Sequence, residues 1–353
     1  MTTTVSSKLP PLYHRFFPDF IENEIPAETI ATCDDCVFCR QPQNPFINTK
    51  CCTYYPQMSN YLIGGLLQDS GWTEGKKRMS ALIKSRKGVT PYGLIRPKGY
   101  DLLDQELRSL HPTDTGWTQM EVEALRCPFY DKGQCTVWAY REHCCSTHFC
   151  FSVGGKKGKQ FWSLLNDYLI LVEKELSKYA LYQLGWEADK LLLEKPDCRN
   201  ILIDNPLGEI NEEHYAALWG KWTGREEQLY AACYEIISQL DLDTFERIMG
   251  VNHQIYLAKL THSKTQFQVP DIPEFLIYNR KIDTETTKEG DIRYLSSGTH
   301  VVVSPLIHKL VEKFDGTRTY HSLSSLFIPF GIDFQKDYLL MLYLNNILIQ
   351  KEA

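Results

Sequence analysis

The sequence predicts an α+β, mainly helical fold, and three observations predict it. Ten of the twelve cysteines fall in two blocks within residues 1–158. Apolar residues recur at helical spacing through 159–265, and from 266 to 353 short β-branched runs separated by turns give way to helical patterns. A chain of 353 residues is long enough for more than one core, so a cysteine-rich domain, a helical region packed on it and a C-terminal module are expected. Hydrophobic residues at 43% and charged residues at 23% are ordinary for a globular chain, and a net charge of -6 argues against a nucleic-acid partner held by overall basicity.

The opening stretch MTTTVSSKLPPLYHRFFPDF has neither a basic n-region nor an uninterrupted apolar run, so no secretory signal is expected. No apolar stretch approaches the ~18 residues of a membrane span. The expectation is a cytoplasmic chain with reduced thiols and no membrane partner, in which clustered cysteines serve as metal ligands rather than disulfides.

Residues 1–32, rich in proline and aromatics, read as an irregular lead-in that packs on the body. SNYLIGGLLQD over 59–69 predicts a short helix with Ser59 or Asn60 as its N-cap and Leu62, Ile63, Leu66 and Leu67 at helical spacing. Cys51 and Cys52 fall just ahead of its positive end, which favours thiolates. The basic run Lys76, Lys77, Arg78, Lys84, Arg86 and Lys87 is expected on a helix with Met79, Leu82 and Ile83 inward, a solvated face rather than a contact to an acidic partner. Many Gly and Pro residues over 88–118 predict short strands and turns. After Cys150, SVGGKKGK reads as a flexible turn, with a backbone nest for an anion as the alternative. Phe161, Leu164, Leu165, Tyr168, Leu169, Val172 and Leu176 then mark the apolar face of a long helix stopped by Gly185. Leu229, Tyr230, Cys233, Ile236, Ile237 and Leu240 repeat at the same period, so Cys233 is expected in the core, and Cys198 reads as a spare thiol.

Further on, FLIYNRKI and THVVVS read as strands. PLIHKLVEKF starts with proline in its first turn and carries Leu306, Ile307, Leu310, Val311 and Phe314 on one face, ended by Asp315-Gly316. The last helix is expected to bury Phe334, Tyr338, Met341 and Leu342 before a closing apolar ILI. Strands followed by helices predict a winged-helix-like module, whose last helix is too apolar for a DNA-recognition helix.

The chemistry lies with the cysteines. Cys33, Cys36 and Cys39 have the double x2 spacing with which three thiolates on a tight loop wrap three corners of an iron–sulfur cubane. The local fourth cysteine is missing, and Cys127, followed by Pro128, has the Cys-Pro arrangement of a remote fourth ligand. Zinc is the competitor, because four thiolates, or thiolates mixed with His143 and His148, suit its tetrahedral preference. The double spacing and the surplus of thiols favour a 4Fe-4S cluster over a closed zinc knuckle. Cys33, Cys36, Cys39, Cys51, Cys52, Cys127, Cys135 and Cys145 form the expected metal-ligand set, with Cys144, Cys150, His143 and His148 in reserve.

The stretch CPFYDKGQCTVWAYREHCC resembles the YkgJ-like cysteine-cluster family of zinc- or iron-chelating domains, which includes flagellin lysine N-methylases. Cys127, Cys135 and Cys145 fall on the family's cysteines, and Gly133 and Arg141 also match. Trp138, Glu142 and Ser146 depart from the family's Tyr, Pro and Arg. Arg40 stands where the upstream motif has a second paired cysteine, leaving Cys39 or the Cys51-Cys52 pair to supply that ligand. The resemblance covers about residues 30–175. More weakly, FDGTRT after a helix resembles PqqD-like winged-helix domains that hold a peptide for modifying enzymes. Together the resemblances imply an iron–sulfur enzyme acting on a protein or peptide side chain, with lysine methylation as precedent and S-adenosylmethionine as methyl donor, although no donor motif is visible. The alternative is a non-catalytic zinc- or iron-binding protein whose C-terminal module binds a partner.

Overall fold

The computed structural model describes residues 2–17, 20, 22, 24–28, 54–110, 125–132, 134–149, 152–187, 203–288, 290–296, 299–328, 334 and 336–351. It is mainly helical with small antiparallel sheets. No helix among the described residues is long and apolar enough to cross a membrane.

The lead-in packs on the body, as its aromatics predict. Strand β1 (Thr2–Thr4) pairs with β2 (Glu24–Pro26), and Val5, Tyr13, Phe16 and Phe17 between them are buried. Helix α1 (Asn60–Gln68) buries every residue from Asn60 to Leu66. Ser59 stands at its N-cap position without capping it; its hydroxyl turns instead to Glu173, 3.4 Å away. Helix α2 (Thr73–Ser85) turns Met79 and Ile83 inward, and much of its basic run is partnered within the chain: Arg78 with Glu74 and Asp131, Arg86 with Glu212.

The hairpin of β3 (Val89–Thr90) and β4 (Gly93–Leu94) matches the expected strands and turns, whereas α3 (Lys98–Leu110) does not. The Gly and Pro residues that suggested turns leave a gap between Gly99 and Pro112, and DLLDQEL within it is rich in good helix formers. A second hairpin, β5 (Tyr130–Asp131) with β6 (Gln134–Cys135), and the short helix α4 (His143–Thr147) carry the second cysteine block.

Helix α5 (Gly155–Gln183) is the spine of the larger core, burying Phe161, Leu165, Tyr168, Leu169, Val172 and Leu176 on one stripe. Of SVGGKKGK, Val153 and Gly154 form the expected turn, and GKKGK from Gly155 on is already the first turn of the helix. At the other end Gly185, at φ +91°, closes a Schellman motif: its N–H bonds the Tyr182 carbonyl at 3.0 Å and the Trp186 N–H bonds that of Leu181 at 3.1 Å. Helix α6 (Glu212–Trp219) sets Trp219 against Tyr230 of α7 (Glu226–Ser238), and α7, α8 (Leu242–Met249) and α9 (Val251–Gln266) pack on the spine. Cys233 on α7 is fully buried, as its periodicity predicts.

A second hydrophobic cluster occupies the C-terminal stretch. Strands β8 (Asp283–Thr286), β9 (Ile292–Ser296) and β10 (Thr299–Val303) form one sheet in the order β10-β9-β8. Helices α10 (Pro305–Val311), α11 (Tyr320–Phe327) and α12 (Lys336–Leu344) follow, and β11 (Leu348–Gln350), the expected closing ILI, pairs with β7 (Leu276–Tyr278). Leu306 departs from its expected inward face and is 49% exposed, while Leu339 and Leu340 join Phe334 and Leu342 in the buried set.

Candidate functional site

The second cysteine block is held by two tight turns. Tyr130 pairs with Cys135 across the β5–β6 hairpin, and the Tyr130 N–H bonds the Cys127 carbonyl at 3.1 Å, so Cys127 and Cys135 are set at the two feet of one hairpin. Glu142 then caps α4, accepting from the Cys144 and Cys145 N–H groups at 2.9 Å each. In the family resemblance Glu142 is only a departure from proline; its use is to start this helix and orient the adjacent backbone N–H groups of Cys144 and Cys145.

The thiols share one environment. Burial, then the Glu142 charge, pushes Cys144 up to about 11. Desolvation of the Cys145 thiol by the surrounding chain, then Glu142 and the neighbouring Cys127 and Cys144, holds it well above the ordinary thiol range, although the residue as a whole is exposed. Burial also raises Cys135, and Arg141 beside it is itself lowered to about 10 by burial. The Arg141 guanidinium lies 3.9 Å over the Trp138 ring and donates to the carbonyls of Trp138 and Lys8. The pocket thus disfavours bare thiolates, which a bound cation would stabilise.

Cys33, Cys36, Cys39, Cys51, Cys52, Cys150 and Cys198 lie outside the described residues. The chain just beyond the first block does meet the second: Tyr54 hydrogen-bonds Cys144, and Tyr55, 5% exposed, lies close enough to Cys127 for that thiol to help raise its pKa after burial. Neither tyrosine stood out in the sequence.

His143 points its Nδ1 to carboxylates, 2.9 Å from Glu173 Oε2 and 3.0 Å from Glu142 Oε2. Burial lowers its pKa, but the Glu173 charge and hydrogen bond and the Glu142 charge outweigh that and raise it to about 9. Glu173 is 4% exposed on the spine and also accepts from Tyr13 at 3.3 Å. The signal for Glu173 was present in the sequence, since it falls four residues after Leu169 on an otherwise apolar stripe. His148, the other reserve histidine, is exposed beside a cavity of about 420 Å³ that Cys144, Lys159 and Trp162 also line.

Among the described residues, the one set of three His, Cys, Asp or Glu ligand atoms lying within 4.8 Å of one another is Glu142, His143 and Glu173; no three thiols approach that closely. Comparison with protein-family models, with curated proteins and with solved structures gave no match.

Proposed function

We propose that this chain is an iron–sulfur protein, related to the YkgJ-like cysteine-cluster family, that modifies a protein or peptide side chain, with lysine N-methylation as the precedent. The observation that carries the reading is that the chain just beyond the first block reaches the second: Tyr54 hydrogen-bonds Cys144, and Tyr55 lies close enough to Cys127 to feel its charge. Cys127, Cys135 and Cys145 would hold the cluster, with Cys33, Cys36, Cys39, Cys51 and Cys52 supplying the ligands of the first block. When bound, a 4Fe-4S cluster supplies one-electron chemistry. The described chain shields and orients its own thiols. Glu142 fixes the start of α4, Arg141 sets positive charge beside Cys135 and Cys145, and Tyr54 donates to or accepts from Cys144. S-adenosylmethionine enters by the family resemblance alone.

The C-terminal elements support a winged-helix-like, peptide-holding module, because they enclose a hydrophobic cluster of their own and the Asp315-Gly316 turn leads into α11 as in the PqqD-like pattern. That cluster equally supports a second reading, a non-catalytic zinc- or iron-binding protein whose module binds a partner.

Purification without oxygen tests both. The expected result is a coloured protein containing iron and sulfide, bleached by Cys127→Ser and unaffected by Cys233→Ser. A colourless protein with stoichiometric zinc and no sulfide would overturn the iron–sulfur reading in favour of the second.

A further inference from the structure

Two buried carboxylates converge on one imidazole nitrogen next to the thiols. Glu142 is fully buried and Glu173 is 4% exposed; His143 Nδ1 lies within 3.0 Å of an oxygen of each and hydrogen-bonds Glu173. Their separations from Nδ1, 2.9 and 3.0 Å, match the edge of an octahedron with metal–ligand bonds of about 2.1 Å, which is about 3.0 Å long. Both carboxylates are already oriented. Glu142 accepts from the N–H groups of Cys144 and Cys145, and Glu173 from the hydroxyls of Tyr13 and Ser59. Outer hydrogen bonds of this kind fix ligand geometry in metal sites.

A separate observation points to a ligand at the same place. A cavity of about 400 Å³ is lined by His143, Glu173, Ser59, Thr90 and Ser177. Ser177 is 3% exposed, and its Oγ has no hydrogen-bond partner. It lies one turn from Glu173 on α5, so its hydroxyl is placed to bond a water or substrate atom carried by an ion at Glu173.

We infer that Glu142, His143 and Glu173 form a second metal site, distinct from the thiolate centre, for a divalent first-row cation bound through two carboxylate oxygens and Nδ1, the imidazole releasing its Nδ1 proton to solvent as the ion binds. The open positions of the ion face the cavity. Oxygen and imidazole donors suit Mn²⁺, Fe²⁺ or Zn²⁺, whereas the neighbouring thiols select softer metals. Mn²⁺ therefore separates the two sites.

The test is Mn²⁺ titration of the full chain, following the electron paramagnetic resonance signal of the unbound ion. The wild type and Cys127→Ser are expected to take up one equivalent each, and Glu173→Gln to bind at least about 10-fold more weakly. In the wild type, bound Mn²⁺ should broaden the imidazole resonances of His143 ahead of those of His148 and His253, a measurement that stands even where the variant fails to fold. Absence of stoichiometric binding, loss of binding in Cys127→Ser, unchanged affinity in Glu173→Gln, or uniform broadening would each overturn the assignment. Because Cys127→Ser removes a thiolate ligand and keeps this site, failure of the iron–sulfur reading and failure of this one give different results.

Discussion

At the scale of single residues, buried polar groups set the conditions under which the fold holds. His253 is 5% exposed, with Nδ1 2.5 Å from the Tyr168 hydroxyl, and burial lowers its pKa below the ordinary value. Between the lowered folded value and the ordinary value of about 6.5, the unfolded chain binds more protons than the folded one. Stability from neutral His253 is thus complete above about pH 6.5 and lost as the pH falls below it. Melting temperature should drop on acidification through that range, and His253→Gln should flatten the drop; identical profiles would refute the assignment. Gly64 answers to space alone: a Cβ there would lie 1.9 Å from the Tyr230 carbonyl oxygen where α1 crosses α7. Gly64→Ala should cost about 3 kcal/mol in denaturant unfolding, as overpacking of a tight core does. Cys233 was legible as core because periodicity reports burial. Glu142 and Tyr54 were not, because neither sits on a periodic face and their roles depend on which segments fold together.

At the scale of elements, long amphipathic stripes were read correctly and short polar ones were not. The face of α5 was plain from Phe161 to Leu176, whereas α3 was hidden by the glycines and prolines ahead of it, and α4 is too short to show a period. The basic run on α2 behaves as a solvated face whose arginines are largely matched by neighbouring acids. Caps show where individual helices depend on one side chain. The Thr319 hydroxyl accepts from the Ser322 N–H at 3.2 Å at the start of α11. Thr319→Ala should lower stability by about 1 kcal/mol. If the C-terminal cluster opens separately, hydrogen exchange should rise in α11 and not in α5; equal protection changes in both would show a single cooperative unit.

At the scale of the whole molecule, one hydrophobic cluster runs from Val5 to Leu340 around α5 and a second fills the C-terminal stretch, with Ile272 packed against both. Cys127 and Cys135 of the expected metal-ligand set pack against the first of these, so their placement depends on the larger core. Glu28 makes that dependence concrete. Buried at 3% exposure, it accepts from Ser152 at 2.6 Å, from the Val153 N–H at 2.8 Å and from the Trp162 indole at 2.5 Å. It stands five residues before Cys33, and Tyr54 stands two after Cys52. Both flanks of residues 29–53, 25 residues counted inclusively, are thereby pinned to the body that carries the second block. Closing a free loop of that length costs about 3 kcal/mol of chain entropy. With the ends tethered, folding meets that cost, and on the proposed function the first block would meet the metal at high effective concentration, a chelate effect built from a carboxylate that is not itself a ligand. Glu28→Ala should therefore weaken metal loading of the cysteine centre by roughly 10-fold or more, read by competition with a chelator, while every proposed ligand is retained.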